Sequence, residues 1–384
     1  MGKVRPRIAF VIQDLCVQGA QYVTALMVRG FHAKGYHVDL LLSQIHWDLL
    51  ADGKTAFEIP KETHIIRLPH RRARYNVFAL RRYLKSTDAT AVISMCDTYD
   101  IDLALASLGL KARPKVCAVD HLPTGTDFET GELRRASWRQ RLQDWLHCFT
   151  YSQLDYHLCV SKGVADGNIR LFGTNPSKVK VVYNPVVDDV FRRKMQKQPQ
   201  CDWLVNKKCP TFVAAGAYNH IKNHLLLFEA VRLANLKQPI RLVLFGCDSR
   251  ECLKNRYEAY IRKYKLEDRI LLYGFTESLP AELKMADGFV NSSIVESFSV
   301  VIVEALAAGC PVVSVDSPYG PREILHNGAF GLLCKNNDAK QLAAAICKVA
   351  NGRGVNPDAK AWKPYTLESI VAKYEQALNI QSVR

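Results

Sequence analysis

The strongest constraint in this sequence is a rhythm. Short apolar runs alternate with longer amphipathic stretches, and the alternation starts twice. The first series places strand-like runs at 7–12, 37–42, 89–94, 115–119, 157–160 and 178–182, with helical stretches at 19–34, 77–84 and 133–148. The second places them at 211–215, 240–245, 269–273, 288–291, 311–315 and 331–334, with helices at 224–234, 250–264 and 300–308. Strands that alternate with helices in this way run parallel and need helices on both faces of the sheet. Two such series predict two doubly wound, Rossmann-like α/β domains, 1–185 and 186–364, with a last helix at about 365–384. The polar, aperiodic stretch 186–210 reads as the linker. Ligands of open α/β sheets sit beyond the carboxyl ends of the strands. Two such domains facing a cleft are therefore expected to carry a site on each side.

Composition narrows the class. A length of 384 residues suits two domains, and 48% apolar with 23% charged residues excludes disordered, collagen-like and coiled-coil chains. No apolar run is long enough to span a bilayer. The apolar start at 8–12 is too short for a signal peptide, and Pro6 stands where a myristoylation site needs Ser or Thr. The twelve cysteines are scattered without a CxxC pair, so reduced, buried cysteines in a cytosolic protein are expected. The net charge of +15 is divided almost evenly between the halves, but between Arg67 and Lys85 there are seven Lys or Arg and no acid. That run is either a solvated face or a surface for a phosphate-rich ligand, an anionic membrane or nucleic acid. No nucleic-acid reader motif accompanies it, so nucleic acid is not expected as a partner.

The residues with most chemistry lie in 291–314. A strand ends at Asn291, a turn of small residues follows, and a helix begins near Ser299. Glu296 precedes that helix and Glu304 lies about one and a half turns inside it. A helix start offers backbone N–H groups and positive dipole to an anion, and an acid within the helix accepts from a diol such as ribose. Alternatively, Glu296 and Ser299 simply cap the helix.

Glu296 and Glu304 are separated by seven residues, and their segment resembles the EX7E signature of the family 4 retaining glycosyltransferases, which have the GT-B fold. Further matches run along nearly the whole chain: Gly19 within Val17-Gln18-Gly19-Ala20-Gln21, then Val160-Ser161-Lys162-Gly163 and Val182-Tyr183-Asn184-Pro185. The loop from Gly216 to Asn223, the pair Gly274-Phe275 and the run from Pro318 to Leu325 complete the set. The resemblance implies transfer of a hexose or N-acetylhexosamine from a UDP-sugar to a glycan or lipid-linked acceptor, with retention, by front-face attack. It further implies that the last helix, about 365–384, packs back on the first domain, and that no cofactor or metal is needed. It implies that Glu304 binds the ribose hydroxyls, that Glu296 holds hydroxyls of the donor sugar, and that Lys222 neutralises the diphosphate. Phe298, Ser299 and Val300 supply the turn and helix N–H groups, Gly19 lets backbone approach the donor, and Gly274 and Phe275 lie near the base. His121, after the strand 115–119, resembles a histidine placed near the donor sugar.

Two departures stand out. Ala217 occupies the place of an arginine in the phosphate loop, for which Arg322 is a candidate substitute, and Ser297 replaces a glycine, which restricts the backbone there. The alternative they leave open is a GT-B protein that binds a nucleotide sugar with altered or no transferase activity. Asp100-Ile101-Asp102 is formally DxD but reads as helix-start acids. The helix 133–148 puts Trp138, Leu142, Trp145 and Leu146 on one face among arginines. Such a face packs on its own sheet or, with the 67–85 run, meets an anionic membrane. The expected location is cytoplasmic, peripheral on the inner face of the membrane.

Overall fold

The structure is a computed structural model that describes residues 5–15, 19–43, 57–121, 148–248 and 252–380. The helix expected at 133–148 and residues 17 and 18 lie outside them, apart from Cys148. The chain forms two compact units.

The first unit contains β1 (Arg7–Ile12), α1 (Gly19–Ala33), β2 (His37–Leu42), β3 (His64–Arg67), α2 (Val77–Ser86), β4 (Ala89–Ser94), α3 (Asp97–Ser107), β5 (Lys115–Asp120), β6 (Tyr156–Cys159), α4 (Lys162–Phe172) and β7 (Val179–Val181). Its strands form one parallel sheet in the order β3-β2-β1-β4-β5-β6-β7. The central strands are buried along nearly their whole length, as apolar runs covered on both faces must be. Strand β3 escapes sequence reading because it has four residues, two of them charged or polar, at the sheet's edge.

The second unit contains α5 (Asp189–Met195), α6 (Asp202–Val205), β8 (Thr211–Ala215), α7 (His224–Asn235), β9 (Arg241–Phe245), α8 (Lys254–Lys263), β10 (Ile270–Gly274), α9 (Leu279–Met285), β11 (Gly288–Asn291), α10 (Val300–Ala307), β12 (Val312–Val315), α11 (Gly320–Ile324), β13 (Leu332–Cys334), α12 (Ala339–Ala350) and α13 (Ala359–Trp362). Its parallel sheet runs β10-β9-β8-β11-β12-β13. The stretch 186–210 is no loose linker. Asp188 caps α5 by accepting from Phe191 N at 2.8 Å. The buried Glu282 of α9 accepts from the backbone N–H of Gln200 at 2.7 Å. Polar side chains bonded to backbone order this segment, and they leave no apolar period to read.

The last helix, α14 (Leu367–Ala377), belongs to the first unit. Glu375 accepts from the Tyr36 hydroxyl at 2.9 Å and from Lys34 Nζ at 3.1 Å. Gly30 lets α1 lie against α14, since a Cβ there would stand 2.6 Å from a Val371 methyl.

Among the described residues all cysteines are free, and the expectation of burial holds only in part. Cys117, Cys159, Cys201, Cys310 and Cys334 are buried, whereas Cys247 and Cys252 are exposed. No helix of the described residues is long and apolar enough to cross a membrane.

Each sheet reverses strand order once, between β1 and β4 in the first unit and between β8 and β11 in the second. Connections leaving neighbouring strands in opposite directions open a crevice at that point, where ligands of doubly wound sheets bind.

Candidate active site

In the second unit, the loops that leave β8 and β11 meet at the crevice. Gly216 ends β8 with φ 156°, and its missing side chain leaves room for the Lys222 stem, whose carbons would stand 3.2–3.3 Å from a Cβ. Gly246, at the end of β9, is more constrained: its Cβ would lie 2.0 Å from Gly216 O. Asn219 caps the single 3-10 turn His220–Lys222, its Oδ1 accepting from Lys222 N at 3.0 Å. The left-handed Asn223 (φ 49°) then starts α7. This fixes the Lys222 backbone and aims its ammonium at the next loop.

There Lys222 Nζ donates to Glu296 Oε1 at 2.6 Å. Two serines that sequence reasoning passed over set this contact. The Ser292 hydroxyl donates to the Lys222 carbonyl at 2.8 Å. The buried Ser293 hydroxyl lies 2.7 Å from Glu296 Oε1 and 3.0 Å from Asn291 Oδ1. Consecutive residues after β11 thus hold the backbone of the cation and the carboxylate of its partner. Their only signal in the sequence is a Ser-Ser pair after a strand, which also fits an ordinary turn.

The capping alternative fails. Glu296 spends its carboxylate on Lys222 and Ser293, and Ser299, the left-handed residue before α10 (φ 73°), makes no side-chain cap. No capping carboxylate or hydroxyl occupies the start of α10, the arrangement suited to an anion. Ser297 is not among the residues with positive φ; the left-handed residue of this turn is Ser299. The lost glycine therefore costs no backbone strain at 297. Phe298 is buried with its ring 5.2 Å from that of Tyr365. Gly320 N donates to Glu296 O at 2.8 Å, and a Cβ on Gly320 would stand 2.3 Å from Phe298 O. Because backbone opposes that Cβ, Gly320→Ala is expected to cost about 1–3 kcal/mol, as overpacking does. Thermal unfolding should show a melting point lower by several degrees, and an unchanged one would mean the turn shifts freely.

Glu304, in α10, is partly buried, and desolvation pushes its carboxyl up to about 7 against the opposing charge of Lys194. Lys194 comes from α5, where Arg192-Arg193-Lys194 had read as linker charge. Its carbonyl accepts from the Ser278 hydroxyl at 3.1 Å, just beyond β10. Gly274 (φ 96°) ends β10, and the Phe275 ring is 62% exposed. Ala217 is exposed, and the Arg322 guanidinium is engaged by Asp316, with Nε donating to Oδ1 at 3.0 Å. Arg322 thus reaches any phosphate only by sharing its charge with that carboxylate.

In the first unit, Gly19 opens α1, and open space surrounds the place of its Cβ. Gln21, two residues on, donates to Asp14 at 3.2 Å and keeps a buried Oε1 without partner. His121 follows β5. Burial lowers its pKa, opposed by the charges of Asp97 and Asp120 and by a hydrogen bond to backbone at Met95. Its Nε2 is buried without a hydrogen-bond partner. Beneath it, Asp120 accepts from the Tyr151 hydroxyl at 3.1 Å and from Asn168 Nδ2 at 2.8 Å. Asp100 of the formal DxD is wholly buried with Oδ2 3.2 Å from the same hydroxyl oxygen; burial, then the charges of Asp97 and Asp120, hold it well above the usual carboxylate range. It is part of a buried network.

Residues 198–368 match the family described as glycosyl transferases group 1, and residues 17–190 match Glycosyltransferase Family 4. The chain is 30% identical over 184 residues to the N-acetylgalactosamine-N,N'-diacetylbacillosaminyl-diphospho-undecaprenol 4-alpha-N-acetylgalactosaminyltransferase of Campylobacter jejuni, a match spanning 48% of this chain and 47% of that protein. It is 25% identical over 293 residues to the lipopolysaccharide 1,6-galactosyltransferase of Salmonella typhimurium, spanning 75% and 73%. Among solved structures, HepE of Anabaena in complex with UDP and glucose superposes with a TM-score of 0.74 at 18% identity, covering 98% of this chain and all of that one. Two all-parallel units with this strand order, and family matches that together run along most of the chain, place it among the family 4 glycosyltransferases of the GT-B fold.

Proposed function

We propose that the protein transfers a hexose or N-acetylhexosamine from a UDP-sugar to a glycan or lipid-linked acceptor, with retention of anomeric configuration, as a peripheral protein at an anionic membrane surface. The observation that carries this is the Lys222–Glu296 contact at the mouth of an α10 left without a side-chain cap. As the bond from sugar to diphosphate breaks, negative charge grows on the phosphates. Lys222 and the first N–H groups of α10 stabilise it, which is electrostatic catalysis. Glu296 exchanges Lys222 for hydroxyls of the sugar. Glu304 accepts from the ribose diol, with Gly274 and Phe275 near the base. In the first unit, His121 donates one ring nitrogen to backbone at Met95, so its buried Nε2 is left to accept from a sugar hydroxyl, and Gly19 leaves open space for a ligand to approach the backbone. The acceptor class is supported by relatives named for lipopolysaccharide and for diphospho-undecaprenol substrates.

Thermal unfolding with UDP-, GDP- and ADP-sugars tests the reading. A UDP-sugar at about 100 times its Kd should stabilise the protein by about 2.7 kcal/mol. Stabilisation by another nucleotide series alone would replace the donor, and binding without turnover on any acceptor would favour a non-transferring sugar-nucleotide binder. Retention is checked by the anomeric proton coupling of the product.

A further inference from the structure

Outside the site, the described residues of the first unit include a surface that packs against nothing else among them. It is built on the run 67–85. After the edge strand β3 the chain turns through the 3-10 segment Ala73–Tyr75 into α2. The turn is held rigidly. Buried Asn76 accepts from His70 N at 3.1 Å and donates to His70 O at 2.8 Å. Leu80 and Leu84 face the core, and the Tyr83 hydroxyl donates to Asp39 at 2.6 Å. Arg81 is structural as well, donating to the carbonyls of Ala106 and Leu108 at the end of α3 at 2.9 and 2.6 Å.

The opposite face is different in kind. Phe78 is 82% exposed, more than any other large apolar side chain among the described residues, and Tyr75 is 51% exposed. Arg71, Arg72, Arg74, Arg82 and Lys85 are all exposed around them, with no acid between positions 67 and 85. Phe78, Arg82 and Lys85 stand at i, i+4 and i+7, so they share one side of α2. A core-facing helix does not display its largest apolar residue to water, and a merely solvated face does not need a phenyl ring. A protruding aromatic within a ring of bases matches a layer that is apolar inside and anionic at its surface.

We infer that the Arg71–Lys85 surface is a membrane-docking face for an anionic lipid bilayer, with Phe78 entering the interface and the Arg71, Arg72, Arg82 and Lys85 side chains meeting the headgroups. This deepens the proposed function, because a docked first unit is held where a lipid-linked acceptor is displayed. Arg81 is no part of the face.

Co-sedimentation with phosphatidylcholine vesicles, with and without phosphatidylglycerol, tests it in the absence of donor. The wild type should pellet only with phosphatidylglycerol. Phe78→Ser should weaken partitioning roughly tenfold, since most of one phenyl's burial is lost. Arg71→Glu with Arg72→Glu and Arg82→Glu should abolish it, each base near an anionic surface being worth about a fivefold change. Raising salt from 0.1 to 1 M, which shortens the screening length from about 10 to about 3 Å, should release most of the protein. UDP affinity by calorimetry should be unchanged in both variants, so failure here stays separate from failure of the glycosyl-transfer reading. No pelleting with phosphatidylglycerol, equal pelleting of wild type and both variants, or displacement from vesicles by a single-stranded oligonucleotide at lower concentration than by soluble glycerol phosphates would each overturn the assignment.

Discussion

Glu296→Ala is expected to cut transfer by about 10²–10³-fold while UDP binds at least as tightly as to the wild type. The reason lies in what Lys222 touches. Its ammonium is 2.6 Å from the Glu296 carboxylate, so a diphosphate has to displace that carboxylate. Removing it frees the cation, and UDP affinity should rise by up to about fivefold, the scale of a partly exposed ion pair. Lys222→Ala acts on both measurements. It should weaken UDP by about 10–100-fold, the cost of a hydrogen bond to a charged group, and it leaves Glu296 with only Ser293 as a donor on the same oxygen. Ser293→Ala, which removes only the hydroxyl holding Glu296, should lower turnover without the loss of UDP binding. Calorimetry and initial rates on the variants decide. Turnover near wild type in Glu296→Ala, or loss of UDP binding equal to that of Lys222→Ala, would break the assignment.

The second large effect belongs to Glu304. Burial penalises its charged form and pushes the carboxyl up to about 7. Accepting two ribose hydroxyls favours that charged form, so binding expels a proton. UDP affinity should therefore climb as pH rises through about 7 and level off above it. The effect on the unliganded protein has the opposite sign. A folded pKa above that of a free glutamate gives stability that is present in acid and is lost as pH rises through about 7. Glu304→Ala should weaken UDP by roughly 1.5–3 kcal/mol at pH above the midpoint. Glu304→Gln should remove the pH dependence, and Lys194→Ala should move the midpoint upward by removing an opposing charge. Calorimetry in two buffers of different ionisation heat reads the proton directly. No proton release near neutral pH would mean that Glu304 is not the ribose ligand.

What could be read from residues alone follows their physics. Strands such as Thr211–Ala215 and Gly288–Asn291 were legible to the residue, because a strand covered on both faces must be a short unbroken apolar run. Edge strand His64–Arg67 and helix Asp189–Met195 were not, being short and ordered by polar contacts. The two glutamates and the lysine were legible by spacing, but their direct contact was not, since 74 residues separate Lys222 from Glu296 and only the reversal of strand order between β8 and β11 brings them together. Ser292, Ser293 and Lys194 carry no local signature. Arg81 looked like its neighbours in a basic run, and only its partners on α3 separate it from them.

The return of α14 to the first unit makes the second unit an insertion in the chain rather than a successor to the first. The chain leaves at Pro185 and comes back at Thr366, and these two passages are stitched to each other: the backbone N–H groups of Val186 and Val187 both point to the Tyr365 carbonyl, at 2.9 and 3.3 Å. An inserted module whose ends already touch costs its host little loop entropy to close. Its natural cut points are thus a matched pair, and a graft of residues 186–365 from a relative would exchange the whole Lys222–Glu296–Glu304 apparatus while α1, β1 and α14 stay joined. Severing the chain once, after Pro185, would by contrast strand α14 with the wrong partner and leave the Gly30 face of α1 open.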